Sequence, residues 1–436
     1  MLKRFLIFLA LALILCGAFY YSSPEKPLER DEPVWPVVDV TKVDRIDVCV
    51  SGTDCYSLVR RTDGWDVVQS GWTFKPEADS GRVEGLLSVL GQGKALRYLG
   101  RVPTGHAVEY GLESPKVRIA TGGGQELSMS VGAQSPSGEG FFALNSKETG
   151  DLFLLPQEFV RQCEFPADYY YNLFLLRGNP EQISSISLGR GGSFLWTLGR
   201  VDGEFQFVFP APLSGKSASG GDVALLFHSL LETPAKGVVR SDEYDRGALA
   251  LSIEVVFAGK HAEKIEISEI KGNGDFFLAN STMCKGNFIL TKEHFEQLNK
   301  KAFQMRQRNV LSLETGKVGS MLVLQGNQTF KGLKSDKTWI NFEDKKPLLG
   351  IDMSLWRLNE LKFEAEPVLS LPDKSEKAME LELMDGSGES LVRVSFFSDP
   401  GLPAGQCWLS LGDGNGYYPV SNKLLEDLQG QIPLRK

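Results

Sequence analysis

One strand–helix phrase occurs three times in this sequence, and it constrains the fold more than any other feature. Each occurrence combines an aromatic-rich strand, a helix-starting residue and an amphipathic helix. The three occurrences are residues 151–160 (DLFLLPQEFV), 286–295 (GNFILTKEHF) and 416–425 (GYYPVSNKLL). The helix-starting residues Pro156, Thr291 and Ser421 lie 135 and 130 residues apart. Self-similarity at a nearly fixed period indicates a repeated structural unit. We therefore predict three copies of one module, which cover residues 37–174, 175–310 and 311–436.

Each module begins with a strand in which apolar residues recur on one face. These positions are Val43/Ile46/Val48, Ile183/Ile186/Leu188 and Val318/Met321/Val323. A Gly-containing turn, a second strand and a third strand with an aromatic residue follow in every copy. The aromatic residues are Trp65, Phe205 and Trp339. Strand periodicity with polar turns predicts a three-stranded β-meander with one buried face.

A helix is predicted after each meander, because apolar residues then recur at helical spacing. An aspartate stands just before or at the start of each one, at Asp79, Asp222 and Asp352. As N-caps these aspartates would accept backbone N–H bonds that the first helical turn leaves open, worth about 1 kcal/mol each. A catalytic role for them is the less favoured alternative.

The second half of each module returns to strands and ends with the repeated strand–helix phrase. The predicted order of elements is therefore β-β-β-α-β-β-β-β-α in every module. Strands follow one another without an intervening helix, so the sheets should be mostly antiparallel and the fold class α+β.

Residues 1–21 (MLKRFLIFLALALILCGAFYY) have the composition of a targeting segment. Lys3 and Arg4 precede an uncharged apolar run, which predicts an exported or membrane-tethered chain. An uncleaved signal-anchor helix is the preferred interpretation, with lipidation at Cys16 second and a cleaved signal third. All three place the residues beyond about 22 on the far side of the membrane, and the preferred one predicts a single-pass inner-membrane protein whose bulk is periplasmic or extracytoplasmic. Residues 22–36 are rich in Pro and charge and predict an extended linker.

Two of the six cysteines lie close together in the first module. Cys49 and Cys55 flank a short turn between two predicted strands. Two alternatives are open for this pair: a cross-strand disulfide in an oxidising compartment, or two small buried thiols. No C-x-x-C pair or Cys/His cluster occurs, so no metal site is predicted.

Charge and motif content exclude several classes of function. The formal net charge is −8, with both signs mixed along the chain, whereas nucleic-acid binding needs a basic stripe. The same balance disfavours binding of an anionic membrane surface by the globular part. The sequence contains no HExxH, G-x-S-x-G or Walker pattern. We therefore predict no cofactor and no catalytic residues.

Three consecutive tyrosines, Tyr169, Tyr170 and Tyr171, lie at the junction between the first two modules. Successive side chains of a strand point to opposite faces, so all three cannot point inward together. We predict that at least one is exposed or lies at the module interface, which makes this group a candidate partner surface.

The first module resembles a known family. The segments that carry the resemblance are GWDVV, VEGLLSVL, AVEYGLESPKVRIATG, LSMSVGAQ, FFALN and DLFLLPQEF. They are similar to the domain-of-unknown-function family 4340 (DUF4340), most recognisably in the step from Tyr110-Gly111-Leu112 to Pro115. The second and third modules lack that step and match mainly in the order of strands and helices. The resemblance implies a membrane-anchored envelope protein, often encoded near ABC-type export components, and it supplies no functional residues.

Two classes of function follow from these observations. The first is a non-catalytic, membrane-anchored binding or scaffold protein of the envelope, accessory to an ABC-type exporter or to envelope assembly. Tandem modules favour it, because they build long surfaces suited to partners. The alternative is an envelope hydrolase acting on cell-wall polymer or polysaccharide, which would need convergent acids or a nucleophile–base pair in a cleft.

Overall fold

The computed structural model describes residues 38–102, 105–123, 126–145, 150–240, 242–259, 262–336, 338–412 and 416–432. The predicted anchor (residues 1–21) and linker (residues 22–36) lie outside these ranges and remain predictions. Among the described residues, none of the helices combines the length and the apolar character that crossing a membrane requires.

The described chain forms three eight-stranded sheets in which every strand pairing is antiparallel. The α+β class and the antiparallel sheets are thus confirmed. Sheet 1 contains β1 (Val43–Val50), β2 (Tyr56–Arg61), β3 (Gly64–Gln69), β4 (Arg97–Arg101), β5 (Val117–Gly123), β6 (Ser128–Gln134), β7 (Gly140–Asn145) and β8 (Asp151–Pro156). Sheet 2 contains β9 (Ile183–Arg190), β10 (Ser193–Val201), β11 (Glu204–Phe209), β12 (Gly237–Val239), β13 (Arg246–Phe257), β14 (Ala262–Ile270), β15 (Asn273–Ser281) and β16 (Asn287–Thr291). Sheet 3 contains β17 (Val318–Gln325), β18 (Gln328–Ser335), β19 (Thr338–Asn341), β20 (Pro347–Leu348), β21 (Glu376–Asp385), β22 (Ser390–Ser398), β23 (Gln406–Ser410) and β24 (Tyr418–Ser421).

Helices accompany each sheet. The α-helices are α1 (Ser80–Gln92), α2 (Gln157–Cys163), α3 (Gly220–Leu231), α4 (Lys292–Leu298), α5 (Ala302–Met305), α6 (Ile351–Asn359) and α7 (Lys423–Gln431). Short 3-10 helices occupy Val40–Lys42, Ala107–Tyr110, Ala167–Tyr170, Pro180–Gln182, Ala211–Leu213 and Thr315–Lys317. One of them immediately precedes the first strand of every sheet, so the repeat extends to this turn.

The strand order shows that the three sheets share a seven-strand topology and that sheet 3 differs from the other two in the position of its eighth strand. Sheet 1 runs β3-β2-β1-β5-β6-β7-β8-β4, sheet 2 runs β11-β10-β9-β13-β14-β15-β16-β12, and sheet 3 runs β20-β19-β18-β17-β21-β22-β23-β24. The chain divides into two compact units. Among the described residues, the first takes in those up to Gly215 together with Gly221–Ala302, and the second takes in Lys216–Gly220 and those from Phe303 onward. Sheets 1 and 2 belong to the first unit and sheet 3 to the second.

The first strand of each sheet carries the same β-bulge. The nine apolar positions predicted to face inward on β1, β9 and β17 are all buried, each at most 1% exposed. Their spacing of three and then two residues departs from strict alternation, because one residue in each strand has no cross-strand partner at the register shift. These residues are Asp44, Ser184 and Gly319. A bulge adds one residue to one strand only, so the following side chains return to the inner face.

The neighbouring hairpin strand shows how the inner faces differ between modules. The cross-strand pairs on the inner face are Ile46–Leu58 in sheet 1, Ile186–Leu198 in sheet 2 and Met321–Gly332 in sheet 3. A Cβ placed on Gly332 would lie 3.1 Å from Met321 Cγ. The Met321 side chain therefore occupies the space that a leucine fills in the other two sheets.

The aromatic residue of the third strand is buried in all three modules and lies beside a cation. Arg60 lies 4.8 Å from the Trp65 ring centroid, and Arg200 lies 4.5 Å from that of Phe205. Lys334 lies 5.9 Å from the ring centroid of Trp339. In each case the cation is the direct cross-strand partner of the ring. This cation–π pair is thus part of the repeat.

The N-cap prediction is confirmed for one aspartate and is wrong for the other two. Asp79 caps α1, since its carboxylate accepts the backbone N–H of Arg82 at 3.1 Å. Asp222 lies inside the first turn of α3, and Asp352 is the second residue of α6 after the N-cap Gly350. Those two aspartates are not caps, because their helices begin earlier than the apolar spacing suggested. Asp352 instead accepts the indole N–H of Trp339 at 3.0 Å.

The predicted order of elements has seven strands and therefore missed one strand in every module. β4 and β12 follow the first helix and pair with β8 and β16, which adds an eighth strand at the far edge of each sheet. In the third module, isolated bridges of Phe363 and Val368 with the segment around β24 stand at the corresponding edge. There, the eighth strand is the two-residue β20 beside β19.

Candidate partner-binding surface

The Cys49 and Cys55 sulfurs are joined in a disulfide in the structure. It closes the end of the hairpin formed by β1 and β2. In sheets 2 and 3, the corresponding hairpins close with two-residue turns after the pairs Arg190–Ser193 and Gln325–Gln328. The hairpin of sheet 1 has a longer loop, and the disulfide fixes its ends. The free thiols of the described chain, at Cys163, Cys284 and Cys407, are all buried.

The three junction tyrosines do not form one exposed surface. Tyr170 and Tyr171 are buried, and burial raises the pKa of both phenols. Tyr169 is half-buried, stacks on Phe165 with ring centroids 3.8 Å apart, and lies beneath the Arg82 guanidinium. The candidate surface of Tyr169, Tyr170 and Tyr171 is therefore reduced to one ring. The other two rings point inward because the segment is a 3-10 turn and a bridge, so strand alternation does not apply to it.

A buried charge network lies close to these tyrosines and joins the first two modules. The Glu77 carboxylate, almost fully buried, accepts from Arg61 Nη1 at 3.1 Å and from Arg177 Nη2. Arg61 Nε also lies 3.3 Å from Asp66 Oδ1, and burial raises the pKa of Asp66. Arg177 belongs to the second module by sequence, so Glu77 connects the two. The Glu77 carboxylate at the centre of the network is inaccessible to a partner, whereas Arg177 is about half exposed.

A shallow cleft of about 250 Å³ lies between α1 and α2. Val89 and Phe159 contribute apolar lining, and Lys94 and Glu158 are the titratable residues of the lining. Glu158 is well exposed and pairs with Arg161 at 3.7 Å. The pair of carboxylic acids by which most glycoside hydrolases work is not among these lining residues. Within the described ranges, no group of three or more His, Cys, Asp or Glu side chains is arranged to hold a metal ion.

The outer face of α6 in the third module presents an apolar stripe to solvent. Leu349, Met353 and Trp356 are 80%, 54% and 56% exposed. Met353 and Trp356 are three residues apart on α6, so they lie on one side of the helix, and Leu349 directly precedes the N-cap Gly350. The opposite side of α6 is buried in the core of the second unit, through Ile351, Leu355 and other residues. We name these three residues the α6 stripe.

The repeat supplies an internal comparison for the α6 stripe. The buried residues of α1, α3 and α6 have the same spacing, which aligns Val83 with Val223 and Ile351. On this alignment, the α6 stripe corresponds to Gly81, Gly85 and Ser88 in α1, and to Gly221, Leu225 and His228 in α3. These three positions thus carry small or mixed residues in two modules and large apolar residues in the third. The fold does not require an apolar outer face here.

Charged groups border the α6 stripe. α7 lies along one side of α6, where Arg357 pairs with Asp427 and Ser354 Oγ donates to Gln431 Oε1 at 2.9 Å. On the other side, Asp352 is largely exposed and lies 3.6 Å from Lys334 Nζ. Glu360, also exposed, ends the helix. The border therefore contains two ion pairs and the exposed carboxylate of Glu360.

A second apolar patch lies on β10 and β11 of sheet 2. Leu195, Val201, Val208 and Phe209 are each more than two-fifths exposed. Val208 lies against Gly199, where a Cβ would stand 3.0 Å from its Cγ2. The patch lies at one edge of a sheet face whose other side chains are mostly polar. Its large side chains partly cover a glycine and a neighbouring threonine, and they also face solvent. It is a weaker candidate for a partner surface than the α6 stripe.

Sequence reasoning missed the α6 stripe, although the signal was present. The helical spacing of apolar residues indicates only which face of the helix is buried. Alignment of the outward positions of the three repeats would have shown Leu349, Met353 and Trp356 as a departure from the other copies. Without the repeat, exposed apolar residues are too common on protein surfaces to stand out.

The two comparisons by sequence find no match to this chain. No family model matches the chain, and no curated protein matches its sequence. Among solved structures, the DNA polymerase III subunit beta from Pseudomonas aeruginosa aligns with 87% of this chain and 91% of its own, at 9% identity and a TM-score of 0.13. A TM-score of that size carries no argument about fold or function. The fold and the α6 stripe are therefore interpreted from this chain's own residues.

Proposed function

We propose that this protein is a membrane-anchored envelope scaffold that binds a protein partner through the α6 stripe. The partner would belong to an ABC-type export complex or to an envelope-assembly complex, as the family resemblance implies. The anchor is the apolar helix predicted for residues 1–21, and the linker of residues 22–36 separates it from the first module. The role is binding rather than catalysis.

One observation carries the proposal: the α6 stripe is apolar where the repeat does not require it. Exposed, contiguous apolar groups on a soluble surface mark interaction sites. Trp and Met are among the residues enriched at protein–protein interfaces, and Trp is prominent among those that contribute most to binding. Full burial of such a side chain is worth about 1.5–3 kcal/mol. A partner that covers the α6 stripe would recover that free energy.

The disulfide supports the proposed location. Disulfides form and persist in oxidising compartments such as the bacterial periplasm, and they are rare in the cytosol. A bond between Cys49 and Cys55 is therefore expected if the first module lies outside the cytoplasm, as the targeting segment predicts. The position of the bond at a hairpin end, where the other modules have tight turns, gives it a structural role.

The proposal is tested by site-specific photo-crosslinking of the full-length protein in intact cells. A photoreactive amino acid replaces Met353 in one variant and Leu225 in the other. Leu225 is the matched control, since it is exposed at the equivalent position of α3. We expect mass spectrometry to identify one membrane or envelope protein crosslinked at position 353 and absent at position 225.

The competing outcomes are equally specific. One such outcome is the same set of crosslinked proteins at positions 353 and 225. Another is a crosslink at position 353 that persists when Trp356→Asp is added. Either would show that the α6 stripe binds no particular partner. The scaffold proposal would then lose the observation on which it depends.

A further inference from the structure

We infer that the partner segment on the α6 stripe is an amphipathic helix whose apolar face is flanked by basic residues. This inference rests on the proposed function, because it names the kind of partner that the same surface would bind. It follows from the shape of the α6 stripe and from the charges around it.

The shape of the α6 stripe suits a helix. Met353 and Trp356, three residues apart, form a short apolar ridge on α6, and Leu349 lies just before the start of the helix. Such ridges pack between the side chains of a second helix. Helix recognition by an apolar ridge or groove is a common mode of peptide binding. Space beside the ridge is open on the α7 side: Gly430 is exposed, and nothing lies within 4 Å of the place where its Cβ would stand.

The charges around the α6 stripe favour a basic partner. Residues 350–360 and 422–432, which form α6, α7 and their caps, contain four carboxylates and two cations, and Lys334 beside Asp352 adds a third cation. The carboxylates belong to Asp352, Glu360, Glu426 and Asp427. Glu360 follows the last residue of α6, where the partial negative charge of the helix end adds to its own. The surface that a partner helix would cross is therefore net negative.

The same charges disfavour two other occupants. An anionic lipid surface would meet the carboxylates that border the α6 stripe and be repelled. A second copy of this chain would bring two negative borders together. Opposite charge on a foreign helix adds to the apolar contact instead of opposing it.

The test uses two synthetic helical peptides of about 18 residues, or five turns, with an identical apolar face. One carries Lys and Arg on the flanks, and the other carries Glu. Binding to the full-length protein is measured by fluorescence anisotropy. We expect the basic peptide to bind, to weaken with added salt, and to lose at least about tenfold in affinity with Trp356→Asp. Leu225→Asp should leave its affinity unchanged.

Charge reversal separates the electrostatic part of the inference from the apolar part. In the double variant Glu360→Lys and Glu426→Lys, the preference should invert, so that the acidic peptide binds better than the basic one. The apolar stripe is intact in this variant, and both sites are exposed, which preserves folding. Circular dichroism that matches the parent protein confirms this.

Three outcomes would overturn the inference. They are equal binding of the two peptides, binding of neither, and binding to phosphatidylglycerol vesicles that Trp356→Asp abolishes. In the last case, the α6 stripe would contact a lipid surface. A partner crosslinked at position 353 would still support the scaffold function when the peptides fail. The two proposals can therefore fail separately.

Discussion

Glu77 should be the residue on which the joint between the first two modules depends most. Its carboxylate is almost fully buried and accepts hydrogen bonds from Arg61 and Arg177, which come from different modules. The perturbation is Glu77→Ala, which removes the shared acceptor and leaves both guanidinium groups in place. The ionic part of the joint is then lost while its apolar contacts stay.

The magnitude follows from what each arginine retains. Removal of one partner of a buried ion pair costs about 3–5 kcal/mol when the other charge is left uncompensated. Here the cost is smaller. Arg177 is about half exposed and can be rehydrated, and Arg61 keeps Asp63 and Asp66 at 3.4 and 3.3 Å. We therefore expect about 2 kcal/mol of local destabilisation.

Hydrogen–deuterium exchange measures this change at the joint itself. The amide of Asn172 donates to the Glu77 carbonyl at 2.8 Å, and the amide of Asp79 donates to the Tyr170 carbonyl at 2.7 Å. A loss of about 2 kcal/mol should speed exchange of these amides about 30-fold. The control is Glu158→Ala, which removes an exposed ion pair with Arg161 and should cost less than about 0.5 kcal/mol. Exchange that accelerates less than about threefold in Glu77→Ala, or equally in both variants, would refute the reasoning.

Three further perturbations test other parts of the molecule. The double substitution Cys49→Ser and Cys55→Ser removes the disulfide. It should lower the free energy of unfolding in urea by about 2 kcal/mol, a modest loss because the closed loop is short. Reductant should lower the free energy of unfolding of the parent protein by the same amount and leave that of the variant unchanged. His294 is buried, burial lowers its pKa, and its Nε2 donates to a main-chain carbonyl at 2.9 Å. The stability that neutral His294 supports is present above the ordinary histidine pKa and is lost as the pH falls through its lowered value, because the unfolded chain takes up the proton first. Between pH 7.5 and 5.5, His294→Gln should therefore lose less stability than the parent, whereas the exposed control His228→Gln should behave like the parent. Trp196 is fully buried and donates its indole N–H to a main-chain carbonyl at 2.7 Å; Trp196→Phe should cost about 2 kcal/mol in urea unfolding, and a loss below about 0.5 kcal/mol would contradict this account.

Much of the fold could be predicted because its information is local and repeated. The inward positions of β1, β9 and β17 stand out in the sequence, and even the bulge is visible as a three-residue step between Val43 and Ile46. The strands β4 and β12 were missed for a physical reason. They are short edge strands, and one of them, RYLGR, has mostly exposed side chains, so no alternation marks them. Their pairing depends on β8 and β16, which lie far away in sequence.

The candidate surface was less accessible to prediction than the fold. Tyr169, Tyr170 and Tyr171 were expected to alternate as a strand does, but a 3-10 turn buries two of them. The exposure of Trp356 depends on which side of α6 meets the core, and that is settled by tertiary packing. Only the comparison with Ser88 and His228 at the same position of the repeat makes its exposure informative.

The Met321–Gly332 pair affects how three similar modules avoid exchanging strands during folding. Repeated units in one chain share topology and bulge position, so β17 is a geometrically acceptable replacement for β1 or β9. Side-chain volume distinguishes them. If β17 paired with β2 or β10, the Met321 side chain would clash with Leu58 or Leu198, because its native partner Gly332 leaves that space free. If β1 or β9 paired with β18 instead, its isoleucine would face Gly332 and leave a void. The mismatched hairpins are penalised in both directions, so the correct pairing is favoured by the core itself before the modules have finished folding.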